Sequence, residues 1–260
     1  MTESAISDRF AALRREGRKA FVGFVTAGDP SLERTVEIAV SLERAGVDVL
    51  ELGVPFSDPL ADGPVIQRSS ERALARGVTL RAVLDAVREI RRRSALPLVL
   101  FSYYNPLLRY GLPRLADDAR GAGVDGVLVT DLPPEEGEAW RTEARRAGLD
   151  TVFLASPTSP DARLRRVAAD SRGFVYAISR MGVTGERDAL SDDARPLLAR
   201  LRALSEVPVA LGFGLSTPEQ VGAAAALADG VVVGSALVRF LEEHPDGDPA
   251  EQVRWLKSRM

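Results

Sequence analysis

Ala45-Gly-Val-Asp-Val-Leu-Glu51-Leu-Gly-Val-Pro-Phe-Ser-Asp-Pro-Leu-Ala-Asp62-Gly-Pro64 is the stretch on which the fold turns. A helix is expected to end at Ala45-Gly46, because glycine accepts the left-handed conformation that closes a helix. The continuous apolar, β-branched run after it suits a strand buried on both faces of a parallel sheet. That run ends on a carboxylate, Glu51, and enters a loop rich in proline, glycine and acid that holds Asp62. A carboxylate closing an apolar strand loses hydration unless something there uses it. This is the placement of an acid/base residue at the mouth of a barrel.

The same helix-end and strand pairing recurs at Ala122-Gly123-Val-Asp, at Ala147-Gly148-Leu-Asp and, as a variant, at Ala228-Asp-Gly230. Between the repeats lie helix signals. Leu80, Val83, Leu84, Val87 and Ile90 make an apolar stripe behind a Thr79 N-cap. Thr217-Pro218-Glu-Gln220 reads as an N-cap, a first-turn proline and a capping-box glutamine, and Ser159-Pro160-Asp161 opens a helix in the same way. The pattern predicts eight strands, near 21–26, 47–52, 97–101, 125–130, 150–154, 174–178, 208–211 and 230–233, with an extra helix near 3–16. Alternating strands and helices on this scale indicate an α/β chain forming a (β/α)8 TIM barrel with an extra N-terminal helix, one domain over residues 1–260. A doubly wound sheet is the alternative. It usually has fewer strands and an early glycine-rich loop, whereas Gly212-Phe-Gly214 here comes late.

Composition narrows the chemistry. A net charge of −3 gives no reason to expect a nucleic-acid partner. The most apolar window, 221–238, is broken by Asp229 and three glycines, so no membrane span is expected. The first residues lack a basic region followed by an apolar core, so no signal peptide is expected and the expected location is cytoplasmic. There is no cysteine and one histidine, His244, set in a polar stretch. A transition-metal site and a Ser-His-Asp triad are therefore not expected. Two of the 34 basic residues are lysine, and neither Lys19 nor Lys257 falls at the end of a strand where a Schiff base would form. Carboxylates, tyrosines, hydroxyls and backbone amides remain.

Glu51 is either a buried glutamate satisfied by hydroxyls or an acid/base residue, and Asp62 is either a turn residue before Gly63 or its partner. In barrels, phosphate commonly binds at the loops after strands seven and eight, near a helix N-terminus. Leu211-Gly-Phe-Gly-Leu-Ser216 and Val233-Gly234-Ser235-Ala236 stand there, with small residues that let backbone N–H groups approach an anion. Arg180-Met-Gly-Val-Thr-Gly185-Glu-Arg, after strand six, has the composition of a closing lid or of an ordinary loop.

Taken in order, the Glu51–Pro64 segment, Gly28-Asp-Pro30, Ser179-Arg-Met-Gly-Val-Thr-Gly185, Gly212-Phe-Gly214 and Gly234-Ser235 resemble the signatures of the tryptophan synthase alpha chain family, over roughly residues 15–258. The resemblance implies a lyase that splits indole-3-glycerol phosphate into indole and glyceraldehyde 3-phosphate. It implies that Glu51 is the general acid/base and that Asp62 holds the indole N–H. It places Tyr176 beside Glu51 and gives Thr184 the task of orienting Asp62. Gly185, Gly214, Gly234 and Ser235 would hold the phosphate. Phe24, Tyr103, Leu128, Leu154 and Phe213 fall at positions around the indole, with plain core packing the alternative for Leu128 and Leu154. No cofactor is implied for this chain, since pyridoxal phosphate belongs to a partner beta chain in an alpha2beta2 tetramer. Asp58, Pro59, Asn105, Leu108, Pro133 and Glu136 lie in loops matching the partner-facing ones, and Leu107 and Leu108 are apolar for a free loop. Two departures from the family pattern are Gly23, where proline is more usual, and Thr130, where a smaller residue is. Competing readings are another phosphate-binding barrel enzyme, a non-catalytic ligand-binding subunit, and a lyase that needs no partner.

Overall fold

The computed structural model describes residues 4–178, 194–212 and 214–260. Its strands are β1 (Ala20–Thr26), β2 (Val49–Gly53), β3 (Leu98–Ser102), β4 (Gly126–Val129), β5 (Asp150–Val152), β6 (Leu154–Ala155), β7 (Val175–Ile178), β8 (Val209–Gly212) and β9 (Gly230–Val233). All pair in parallel, in the order β5-β4-β3-β2-β1-β9-β8-β7-β6. The two ends of that order are consecutive pieces of chain, which curls the sheet into a nearly closed barrel.

The expected fifth strand, 150–154, is thus two strands. Its first piece pairs with β4, Val152 opposite Leu128, and its second with β7, Leu154 opposite Tyr176. Phe153 is the pivot: its side chain is buried among the outer helices while its carbonyl accepts the Tyr176 N–H at 3.0 Å. The other seven strands lie within two residues of their expected bounds.

Among the described residues, twelve α-helices accompany the strands. α1 (Ala5–Arg15) precedes the barrel, α2 (Leu32–Arg44) follows β1, and α3 (Pro64–Ala75) and α4 (Leu80–Arg91) both follow β2. α5 (Tyr104–Tyr110) and α6 (Leu112–Ala122) follow β3, and α7 (Glu138–Ala147) follows β4. α8 (Asp161–Asp170), α9 (Ala194–Leu204), α10 (Pro218–Leu227), α11 (Ser235–Glu243) and α12 (Pro249–Leu256) complete the set. The Thr217–Gln220 capping box forms as read, and Thr79 caps α4. Ser159 does not cap α8; Pro160 holds the cap position and the Ser159 hydroxyl turns back to the Ser156 N–H at 3.3 Å.

Two apolar layers result. One fills the space between strands and helices, with Trp140, Phe21 and Ile38 among its members. The other fills the barrel itself: Val22, Val49, Val99, Leu128, Val152 and Val232 meet across the axis, and Ile6, Phe10 and Leu13 of α1 join them from below. Phe10 stacks on Phe174 at 5.6 Å. Gly126 and Gly230 make room for this helix, since a Cβ at either would stand 2.9 Å from Ile6 or 3.1 Å from Phe10. Fully burying three such side chains contributes about 1.5–3 kcal/mol each, so α1 is a built-in floor.

The acids of the recurring helix-end motif act at that same end. Asp48 accepts the Phe21 N–H at 2.8 Å, Asp125 the Leu98 N–H at 2.8 Å and Asp229 the Val209 N–H at 2.9 Å. In each case the carboxylate satisfies a backbone donor of the preceding barrel strand, as a buried N–H requires. Among the described residues no helix is long and apolar enough to cross a membrane.

Candidate active site at the C-terminal mouth of the barrel

Period-two alternation turns Val49, Glu51 and Gly53 of β2 to one face, and Phe24 of β1 pairs with Glu51 in register. Glu51 is 1% exposed, and its Oε1 has no hydrogen-bond partner among the described residues. Burial disfavours the charged form and pushes the carboxyl up to about 8. The group is therefore a carboxylic acid at neutral pH, holding a proton it can give.

Asp62 sits at the end of the loop after β2, immediately before Gly63, the N-cap of α3. It is 4% exposed, and burial raises its carboxyl to about 6 against the opposing pull of a hydrogen bond from the Tyr103 hydroxyl. Tyr103 also accepts the Ala61 N–H at 3.1 Å, so one phenol fixes two consecutive residues of the loop. Thr130, one of the two departures from the family pattern, hydrogen-bonds that phenol and donates to the Ser102 carbonyl at 3.3 Å. Burial, then the nearness of Glu51 and Asp62, pushes the Tyr176 hydroxyl well above its usual range, so it stays protonated.

Glu51, Asp62 and Tyr176 meet in one cavity at the mouth. Glu51, Asp62, Phe24, Tyr176, Gly214, Gly234 and Ser235 line it, all of them candidates from the sequence. Two glycines let the rings enter: a Cβ at Gly53 would stand 2.6 Å from the Phe24 ring, and one at Gly212 2.4 Å from the Tyr176 hydroxyl. At the other side Gly234 caps α11, with Ser235 as its first residue. The free N–H groups and dipole of a helix N-terminus favour an anion there. One cavity thus combines a neutral acid, a second carboxyl that ionises near pH 6, an aromatic wall and a rim set at a helix N-terminus.

Four lining residues were not among the candidates: Phe101, Ile66, Leu215 and Val232. Phe101 pairs with Gly53 and meets Phe24 edge-on at 5.1 Å. The strand alternation Val99, Phe101 carried that signal. Ile66 had none, because only tertiary packing lays α3 across the mouth. Leu128 and Leu154 belong to the barrel interior and do not line the cavity, so for them core packing is what the structure places. Tyr103 reaches the site through Asp62 and not through the cavity wall. Thr184, Gly185, Phe213 and the candidate lid 180–187 lie outside the described residues.

Around the mouth, Asp58, Asn105, Leu108 and Glu136 are exposed and Pro59 and Pro133 half-buried. Leu60 is 89% exposed and Leu108 50%. Leu107 differs from expectation: it is buried in the core, so only Leu108 offers surface. His244 is exposed beside Phe240, and no cluster of His, Cys, Asp or Glu suited to a metal occurs among the described residues.

The family model described as "Tryptophan synthase alpha chain" matches residues 10–258. The tryptophan synthase alpha chain of Citrifermentans bemidjiense is 52% identical over 250 residues, covering 96% of this chain and 94% of the relative. That of Geobacter sulfurreducens is also 52% identical, covering 96% and 95%. A solved structure of Mycobacterium tuberculosis tryptophan synthase superposes with a TM-score of 0.92 at 39% identity, covering 98% of both chains. The tryptophan synthase subunit alpha of Legionella pneumophila gives a TM-score of 0.89 at 35% identity, covering 99% and 97%.

Proposed function

We propose that this chain, which belongs to the tryptophan synthase alpha chain family, carries out the family's lyase reaction with Glu51 and Asp62. The reaction is the retro-aldol cleavage of indole-3-glycerol phosphate to indole and glyceraldehyde 3-phosphate. The observation that carries the assignment of residues is the meeting of Glu51 and Asp62 in one cavity rimmed by Gly214, Gly234 and Ser235.

The proton bookkeeping closes on these groups. Glu51, a neutral acid below about pH 8, gives its proton to indole C3. The ring becomes an indoleninium cation, and the Asp62 carboxylate, ionised above about pH 6, takes the ring N–H as a hydrogen-bond donor and balances the charge. The Glu51 carboxylate then removes the proton of the adjacent glycerol hydroxyl. That carbon becomes the aldehyde, the C–C bond breaks, and its electron pair returns to the ring to give neutral indole. Glu51 ends protonated, as it began. The protonated indole is the electron sink, so the step asks for neither a Schiff base nor a metal. Gly234 and Ser235, with Gly214, hold the phosphate, and Phe24 and Tyr176 flank the indole. Thr184 and Gly185 are assigned to orienting Asp62 and to phosphate by resemblance alone.

The family implies a beta chain that receives indole. We assign its docking face to the loops bearing Asp58, Pro59, Asn105, Leu108, Pro133 and Glu136, with an alpha2beta2 assembly, pyridoxal phosphate confined to the partner, one barrel domain over 1–260 and a cytoplasmic location. The exposure of Leu60 and Leu108 supports that face. Indole release from indole-3-glycerol phosphate, measured with and without a beta chain, tests the whole. Slow release that rises sharply with the partner is expected. Fast release by the chain alone would make it a free-standing lyase, and none in either case would overturn the assignment.

A further inference from the structure

Helix α3 is attached to the mouth in an unusual way. It starts at Pro64, directly after Asp62 and Gly63, and Ile66 in its first turn lines the cavity. Its apolar grip there is small: Val65 and Ile66 pack on Phe24 and Val238. Polar contacts supply the rest. The Gln67 side chain donates to the Asp62 carbonyl at 2.8 Å, and the Ser69 hydroxyl meets that of Thr26, at the end of β1, at 2.6 Å.

Further along α3 a guanidinium joins three parts of the mouth. Arg72 binds both oxygens of Asp29, Nε to Oδ1 at 2.9 Å and Nη2 to Oδ2 at 2.7 Å. Asp29 is buried in the loop after β1. The third nitrogen of Arg72, Nη1, donates to Glu242 of α11 at 2.8 Å. Arg68, one turn earlier, binds both oxygens of the same Glu242 at 2.8 Å each. The network thus ties the helix that follows Asp62 to the helix whose first residue is Ser235.

We infer that Arg72 is a positioning residue: its forked pairing with Asp29 and Glu242 fixes α3 against β1 and α11, and so keeps Asp62 buried beside Glu51. Only a planar fork satisfies both acids from one side chain, which a lysine does not reproduce. The inference rests on the reading of Asp62 given above, and its test separates the two.

Asp62 is faced by Tyr103 from the end of β3 and by Tyr176 on β7, and it shares its cavity with Glu51 on β2, among the described residues. Loosening α3 leaves those neighbours in place and lets water reach the carboxyl, whose proton affinity then falls. The experiment uses the full chain in four forms: unaltered, Arg72→Gln, Arg72→Lys and, at the opposite end of the barrel, Arg91→Gln, which breaks the Arg91 pairing with Asp125. The Asp62 carboxyl is titrated by carbon-13 NMR, assigned with Asp62→Asn, beside kcat/KM and thermal melting. Arg72→Gln should move the Asp62 titration from about 6 toward the ordinary ~4 and lower kcat/KM at least ~10-fold, with Arg72→Lys between. Arg91→Gln should lower Tm without moving the titration. An Asp62 titration unmoved in folded Arg72→Gln overturns the inference, and Arg72→Lys decides it if the glutamine variant does not fold. Full turnover by Asp62→Asn would instead overturn the role given to Asp62 and leave the titration result standing.

Discussion

Replacing Glu51 by glutamine should flatten the pH dependence of stability as well as cut turnover. The folded protein keeps Glu51 protonated up to about 8, whereas the carboxyl has its ordinary value of 4.5 once exposed. Below about pH 4.5 both states hold the proton and the group contributes nothing that varies with pH. As pH rises, the unfolded chain ionises and the folded one does not, so stability is lost until the folded carboxyl also ionises, near 8. One proton is worth about 1.4 kcal/mol per pH unit, so between pH 5 and pH 8 this single side chain removes about 3–4 kcal/mol. That is a large part of the roughly 5–15 kcal/mol that a folded domain has. Glutamine has a similar shape and does not titrate. Its buried amide carries a pH-independent cost of about 1–3 kcal/mol, which changes the level of the curve and not its slope. Asp62, raised to about 6, remains in both proteins and largely cancels from their difference. Urea denaturation of both forms at pH 5, 6, 7 and 8 reads the effect, and the gap between them should shift by about 3 kcal/mol in favour of glutamine across that range. Parallel curves would show that Glu51 is not held protonated by the fold, and the proposed first proton transfer would lose its basis.

Turnover gives a second set of outcomes. Glu51→Gln should cut kcat by ~10²–10⁴, the usual worth of a positioned proton donor. The kcat/KM profile should be a bell, falling below about 6 as Asp62 takes up a proton and above about 8 as Glu51 loses its own; a single limb near 4.5 would contradict it. In Gly212→Ala the new methyl would overlap the Tyr176 hydroxyl at 2.4 Å, and kcat/KM should drop on the order of 10²-fold as the ring swings into the cavity; unchanged kinetics would show the close approach to be without consequence. Asp229→Ala leaves the Val209 N–H without its acceptor at the floor of the barrel, so stability should fall about 1–3 kcal/mol with kcat unchanged.

What the chain discloses before it folds follows from how local each property is. Strand and helix order is local, because it depends on apolar runs and on glycines that end helices; the bounds therefore agree closely. The division of 150–155 at Phe153 is not local. It is set by which neighbour each end of the strand meets when the barrel closes, and no residue there announces it. Glu51 was legible because a carboxylate on an apolar strand conflicts with its surroundings, and Asp62 because it stands in the acid-rich loop that follows. Phe101 was legible in principle, standing two residues beyond Val99 on the same face. Ile66 was not, since nothing in Pro64–Ala75 says that this helix crosses the mouth instead of lining the barrel wall. The acids Asp48, Asp125 and Asp229 were visible as a repeat, but their work belongs to backbone donors some 20 to 27 residues away.

The floor made by α1 decides traffic. With Ile6, Phe10 and Leu13 seated under a valine-filled barrel, the described residues close its lower end. Whatever enters must be turned around: the triose phosphate leaves past the rim that admitted it, and indole leaves on the same side. Each product therefore obstructs the next substrate for as long as it lingers. A neighbour that draws indole off at that rim would clear the queue without altering the chemistry at all.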